Sequence, residues 1–291
     1  MMLDHSFTPS DALWVYLATL IIFILEAVTG RLRTYTRRDF GLTMLTFLTN
    51  SVTTRPLMAL AVGYLAAWLV PAGAGFAASL PVWQAALIVF FTVEFAFYWI
   101  HRWGHVGQKK GHKLAWLWKI HRTHHSATTM NSSIVQRQNI FWAVFTPHIW
   151  MIALFIYAGM GQGVAIYLVP FYLWNTFTHM HWRADARVLS NPAFRALSHV
   201  FIMPTMHHAH HGYGKNGKMY CNYGLCLSVF DWMFGTLFLP DGQPSRYRVP
   251  GGQVHWAEEA FYPLNMFGKR PEKQPASSQP AYSAATEGDL H

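Results

Sequence analysis

Apolar residues fall in long runs separated by short basic or glycine-rich breaks, a pattern that predicts membrane-spanning helices. Leu13 to Val28 is the first run, and with its flanks it reaches the roughly 20 residues needed to cross a bilayer. It ends at Gly30, and Arg31, Arg33, Arg37 and Arg38 follow. Phe40 to Thr54 is apolar but interrupted by Thr and Asn, so it reads either as an interfacial helix or as the first half of a long tilted one. Pro56 to Val70 predicts a second span, closed by the chargeless turn Pro71-Ala-Gly-Ala-Gly75, and Val82 to Ile100 a third. Ile140 to Ala158 and Val164 to Phe177 predict an outgoing and returning pair around Gly159-Met-Gly-Gln-Gly163. No strand precedes that glycine turn, so it is not read as a dinucleotide fingerprint. The expected fold class is an all-α integral membrane protein of about four to five transmembrane helices, with a histidine-rich helical cap over residues 180–268. Residues 1–268 read as one membrane-embedded domain and 269–291, rich in Pro, Ser, Ala and Gln, as a disordered tail.

Composition agrees with the pattern. The chain is 52% hydrophobic and 12% charged, about half the roughly 25% charge of a soluble domain. The net charge of +9 comes from Lys and Arg gathered beside apolar runs, at Arg31–Arg38 and Arg102–Arg122. That placement reads as a topology signal rather than a nucleic-acid surface, and no nucleic-acid-binding module is apparent. By the positive-inside rule the 31–38 segment faces the cytoplasm. With five spans, every histidine-rich segment described below falls on that same side, the inner membrane's cytoplasmic face if the source is bacterial. Cys221 and Cys226 match neither a CxxC motif nor a disulfide framework and read as free thiols. The N-terminus lacks a positive region ahead of its first apolar run and does not read as a cleaved signal peptide.

The chemistry lies in the histidines. Eleven of seventeen fall in four clusters: His101 and His105; His121, His124 and His125; His179 and His181; and His207, His208, His210 and His211. Spacings of three and four place such residues on one helix face. Neutral imidazole is a common ligand for iron, zinc and copper, and eight rings from three boxes plus His179 exceed what one ion can use. Two metals are implied. Carboxylates are sparse between residues 30 and 255, and neither Glu-x-x-His nor His-Glu-x-x-His occurs, which disfavours a ferritin-type centre or a zinc protease. An all-histidine set points to non-haem iron, with zinc as a possible substitute. His5, His199, His255 and His291 carry no metal reading, His112 reads as exposed, His148 as making a hydrogen bond that faces the bundle, and His208 as turned away from the metals. Glu94 lies two helical turns before His101 on about the same face, and a carboxylate there is expected to hydrogen-bond a ligating histidine.

At these residues the chain resembles the fatty acid hydroxylase/sterol desaturase superfamily of membrane di-iron oxygenases. The resemblance covers about residues 85–240. It runs through Glu94-Phe-Ala-Phe-Tyr-Trp-Ile-His101-Arg with His105, then Trp118-Lys-Ile-His121-Arg-Thr-His124-His125-Ser126, Asn131 and Arg137. It continues with Phe177-Thr-His179 and Pro204-Thr-Met-His207-His-Ala-His210-His211, and closes with Asn222-Tyr-Gly224 and Asp231-Trp-Met-Phe-Gly235-Thr236. It implies two irons held by His101, His105, His121, His124, His125, His179, His207, His210 and His211, with Glu94 and Asp231 behind them. Glu94 replaces the usual Asp, Phe230 the usual Trp, and His179-Met-His181 the usual His-x-Asn, which makes His181 a candidate tenth ligand. The implied activity is O2-dependent hydroxylation of a lipid C–H bond. Electrons would come from a separate ferredoxin or cytochrome with its reductase, docked on the basic Lys109–Arg122 surface. A desaturase with the same centre is the close alternative, and a non-catalytic membrane metal-binding or transport protein is the alternative from another class.

Overall fold

The computed structural model describes residues 9–182, 184–249 and 254–264. The expected tail at 269–291, and His5 and His291, lie outside them. The chain is mostly helical. Its long helices are α1 (Pro9–Val28), α2 (Arg37–Leu69), α3 (Val82–Val106), α4 (Ala115–His125), α5 (Pro147–Tyr157), α6 (Gly161–His179) and α7 (Pro204–His211). The strand content among the described residues is a two-residue antiparallel ladder, Gly212–Tyr213 with Arg246–Tyr247, and one isolated bridge between Phe201 and Leu227.

Among the described residues two helices, α2 and α3, are long and apolar enough to cross a membrane; the apolar stretches Leu17–Val28 and Pro147–Tyr157 are shorter. The two alternatives for Phe40–Thr54 resolve into one continuous helix with Pro56–Val70. Thr36 caps its start by accepting from the Asp39 backbone N–H at 3.0 Å. Pro56 brings no N–H and crowds the carbonyl four residues back, and the chain answers with a π-helical segment at Asn50–Thr54, where the Arg55 N–H reaches the Asn50 carbonyl. The expected Ile140–Ala158 span departs further. Thr146 adopts an extended conformation before Pro147, as residues preceding proline prefer. The apolar helix that follows has 11 residues, or roughly 16 Å at 1.5 Å per residue, about half the hydrocarbon thickness.

The core forms where α3 packs on α6, α5 and α4. Val89, Val93, Phe97, His101 and His105 recur every four residues on the buried face of α3, whereas Leu87, Phe91 and Phe95 are exposed on the other. Gly163 lets α6 approach closely: a Cβ there would lie 2.7 Å from the Ala85 carbonyl carbon. At the far end Gly159 turns the chain with φ +94° against Ala78. The Gly75 and Ala77 N–H groups donate to the Tyr157 and Ala158 carbonyls at 2.9 and 2.8 Å, joining the two far turns.

Gly163→Val is expected to wedge α6 from α3 and destabilise the protein by about 1–3 kcal/mol through overpacking. A lowered thermal midpoint in detergent, with no comparable loss for the open position Gly161→Ala, checks this.

Candidate metal centre

Four elements deliver the histidines. α3 carries His101 and His105 on its last turns, α4 carries His121, His124 and His125, α6 ends on His179, and α7 carries His207, His210 and His211. All eight residues of α7 are buried, so its polar side chains face the interior and not solvent. The rings sort into two groups. His101, His105, His121, His125 and His210 form one, and His124, His179, His207 and His211 the other; within each, one nitrogen per ring lies within 4.8 Å of all the others. All nine residues are buried.

Hydrogen bonds fix which nitrogen faces inward. His101 and His210 donate from Nδ1 to the Tyr223 and Cys221 carbonyls, and His179 donates from Nδ1 to the Asn175 carbonyl, each at 2.7 Å. Carbonyl oxygens only accept, so in neutral rings these bonds place the proton on Nδ1 and leave the Nε2 lone pair pointing into the cluster. Nε2 atoms stand 3.1 Å apart for His105 and His125, 3.1 Å for His121 and His105, and 3.0 Å for His210 and His101. In the second group His179 is 3.2 Å from His124 and 2.9 Å from His207, which is 3.0 Å from His211. Two nitrogens at right angles, each ~2.1 Å from one ion, are about 3.0 Å apart. The donor set of each group therefore fits a metal ion.

Burial pushes the rings outside the spanning segments down in pKa: His124 to about 4, and His121, His125, His207, His210 and His211 well below 6.5. They fold as neutral imidazoles.

The loop after α7 is the scaffold for two of these rings. Asp231 accepts from the Tyr223 and Gly224 N–H groups at 2.8 and 2.9 Å and from the Thr236 hydroxyl at 2.7 Å. Burial raises this carboxyl to about 6. Gly224 is required there, since a Cβ would collide with the Leu227 carbonyl. Glu94 departs from expectation. It touches no histidine; its Oε2 accepts the Cys226 and Leu227 N–H groups at 2.9 and 3.1 Å. Seven residues of helix place it roughly 10 Å below His101, too deep for the rings but level with this loop. The loop it holds is the one whose Tyr223 carbonyl accepts from His101.

His181 stands outside both groups. Its N–H donates to Glu26 Oε1 at 2.6 Å, Arg31 donates to its carbonyl at 2.7 Å, and its ring meets the Met130 carbonyl at 3.3 Å. Those bonds turn the chain away from the cluster directly after α6. The His208 ring meets Gln243 Oε1 and the Met180 carbonyl, both at 2.9 Å, also away from the metals. His148, expected to make a hydrogen bond facing the bundle, lines the cavity described below.

Sequence reasoning missed three supporting acids. Glu26 also receives the Ser132 N–H and hydroxyl at 2.8 and 2.7 Å. Asp39 pairs with the buried Arg137, which also donates to Ser126 Oγ at 2.8 Å and lies 3.8 Å from Glu259. These bonds hold the end of α4, where His124 and His125 sit. An acid within or beside an apolar run is the signal that could have singled out Glu26 and Asp39; nothing local marks Glu259.

A cavity reaches both groups, bounded by His101 and His121 from one and His124 and His207 from the other, with Phe97, Trp142, Phe171 and Leu225 as apolar wall.

A model of a family described as fatty acid hydroxylase matches residues 86–236. Among curated proteins, the human alkylglycerol monooxygenase is 29% identical over 53% of this chain and 30% of its own length. The Xenopus tropicalis alkylglycerol monooxygenase is 26% identical over 55% of this chain and 32% of its own. The match thus spans about a third of these relatives. No solved structure matches the chain.

Groups whose folded pKa lies below the unfolded value bind fewer protons when folded, so their contribution to stability is full above the unfolded pKa and is lost as pH falls through the folded one. The metal-free protein is expected to lose thermal stability steeply between about pH 6.5 and 4 as the unfolded chain takes up protons on these rings. A midpoint that stays flat from pH 8 to 5 would contradict neutral burial.

Proposed function

The chain belongs to the fatty acid hydroxylase family, and on that premise we propose that it is an integral-membrane di-iron monooxygenase that hydroxylates a C–H bond of a lipid. The observation that carries this reading is the pair of buried imidazole groups with ligand-like nitrogen spacing. His101, His105, His121, His125 and His210 would hold one ion, and His124, His179, His207 and His211 the other. Two irons held there would supply O2 activation and the oxidising strength to break an unactivated C–H bond.

The protein's part is positioning and exclusion. The carbonyls of Tyr223, Cys221 and Asn175 keep three imidazoles in one tautomer and orientation, which raises their basicity as ligands. Asp231 and Glu94 hold the loop that offers two of those carbonyls. Phe97, Trp142, Phe171 and Leu225 keep bulk water from the space where a carbon chain would lie beside both histidine groups. The overall reaction consumes the lipid, O2, two electrons and two protons, and gives the alcohol and water.

The electrons come from a separate donor, a ferredoxin or cytochrome with its reductase. Lys109, Lys110, Lys113 and Lys119 are exposed beside α4 and suit an acidic partner. This side of the membrane is the cytoplasmic one, by the Lys and Arg bias. Residues 1–268 act as one membrane-embedded unit.

Iron analysis should find about two ions per chain, falling to about one in His210→Ala or His207→Ala and unchanged in His181→Ala, since only the first two lie in ligand groups. Lipid extracts of cells expressing the protein, assayed across fatty acids, alkylglycerols and sterols, should contain a product heavier by one oxygen that vanishes with His121→Ala. A product lighter by two hydrogens would make it a desaturase, and an unchanged lipid profile with His121→Ala would end the oxygenase reading.

Replacing Lys109, Lys110 and Lys113 with Glu should raise the KM for the donor and flatten its salt dependence, with turnover by a small chemical reductant unaffected. Donor kinetics blind to these changes would place the dock elsewhere.

A further inference from the structure

Between Tyr220 and Leu239 the one charged residue is Asp231, and it is buried. This segment follows the last histidine cluster, where the sequence pattern predicts a cap outside the membrane. Its contacts place it lower. Trp68 near the end of α2 and Trp83 at the start of α3 are exposed on either side of the far turn, and Trp103 is exposed near the other end of α3. Exposed tryptophans mark the two membrane–water boundaries. Trp83 and Trp103 stand roughly 30 Å apart along the axis of α3, the thickness of the hydrocarbon core.

Residues 222–236 pack against α3 below Trp103. Glu94 Oε2 accepts the Cys226 and Leu227 N–H groups. Phe95 meets Phe230 edge-on at 5.5 Å between ring centroids, and Trp99 meets Phe234 at 5.0 Å. These three residues of α3 lie roughly 6–14 Å inside the Trp103 boundary, in the leaflet on the histidine side. A boundary drawn at Glu94 instead would leave roughly 17 Å of helix from Trp83, about half of what a bilayer needs. Irregular backbone is tolerated at that depth only where protein groups satisfy it, and here they do. The Tyr223 and Gly224 N–H groups donate to Asp231. The Ser228 N–H donates to the Val200 carbonyl at 3.0 Å, and the Cys226 carbonyl accepts the Ile202 N–H at 2.8 Å.

The short helix Val229–Met233 turns Asp231 inward and leaves Trp232 62% and Met233 65% exposed. Leu197 and Val200 are exposed beside it, and the Ser228 hydroxyl, donating to the Ser198 carbonyl at 2.8 Å, ties their segment to this helix. Through the Phe95–Phe230 contact the patch continues the exposed row Leu87, Phe91 and Phe95 of α3. We propose that residues 222–236 form a re-entrant segment immersed in the histidine-side leaflet, with Trp232 and Met233 lying among lipid acyl chains. Its outer side is apolar and meets lipid, while its inner side offers the Tyr223 carbonyl to His101. The inference rests on α3 spanning the membrane and is independent of the metal or reaction that the histidines serve.

The test is site-directed fluorescence on the full-length protein in phosphatidylcholine nanodiscs. Met233→Cys, Phe91→Cys and Lys110→Cys, each made singly, carry the environment-sensitive dye NBD. Cys221 and Cys226 are buried, so the unsubstituted protein should take up little label and sets the background. Phe91 is exposed on the apolar side of α3 and Lys110 is exposed beyond its end, so the two report lipid and water. Met233→Cys should behave as Phe91→Cys does, with blue-shifted emission largely lost to phosphatidylcholine bearing a nitroxide on its acyl chain and little changed by aqueous iodide. Lys110→Cys should show the reverse. If Met233→Cys does not fold, Trp232→Cys samples the same patch. Iodide quenching at Met233 equal to that at Lys110 would return the segment to a water-exposed cap. Emission reached by neither quencher would mean that another chain covers the patch, and either result overturns the proposal. Iodide quenching at Phe91 would sink the membrane reading of α3 and this inference with it, whereas lipid quenching at Phe91 without any at Met233 would sink this inference alone.

Discussion

Nine buried imidazoles are costly to charge and fold neutral, and their rings turn nitrogen lone pairs toward one another. That single electrostatic requirement organises the molecule. It dictates that protons sit on the outward nitrogens, and three of those reach the carbonyls of Tyr223, Cys221 and Asn175. It makes α7 wholly buried despite its polarity. It also explains why so much of the surrounding structure consists of acids and amides that touch no ring, since each holds a carbonyl or a helix end where a ring needs it.

Much of the clustering of the histidines was legible in the sequence because they come from helices. Spacings of three and four residues put His121, His124 and His125 on one face whatever the fold around them, and the same holds for His101 with His105 and for His207 with the pair His210 and His211. How the nine rings divide was not legible. His124 and His125 are neighbours in sequence, yet they enter different groups, because adjacent residues on a helix point about 100° apart. His181 reads like a ligand by proximity to His179, but the helix ends between them and Glu26 captures the backbone.

The fold was less readable than the centre. Apolar content marks a run as able to enter a membrane, but it does not say where a helix breaks. Thr146 with Pro147 breaks the fourth expected span, whereas Pro56, a proline equally visible in sequence, leaves a helix continuous by shifting to π register. The difference lies in the partners available to freed backbone groups, and those are tertiary. Glu94 follows the same logic: its depth on α3 could be counted from sequence, but the loop that meets it arrives from 132 residues later.

That meeting links two parts of α3 that are far apart along its axis. His101 points one way to the Tyr223 carbonyl, and Glu94, two turns lower, grips the same loop at Cys226 and Leu227. Helix and loop are thus riveted at two heights, like a ladder rail fixed at two rungs. A tilt of α3 would carry the loop with it and conserve the angle between ring and carbonyl. The pairing of ring and carbonyl is in this way insulated from the tilt of the helix that carries the ring.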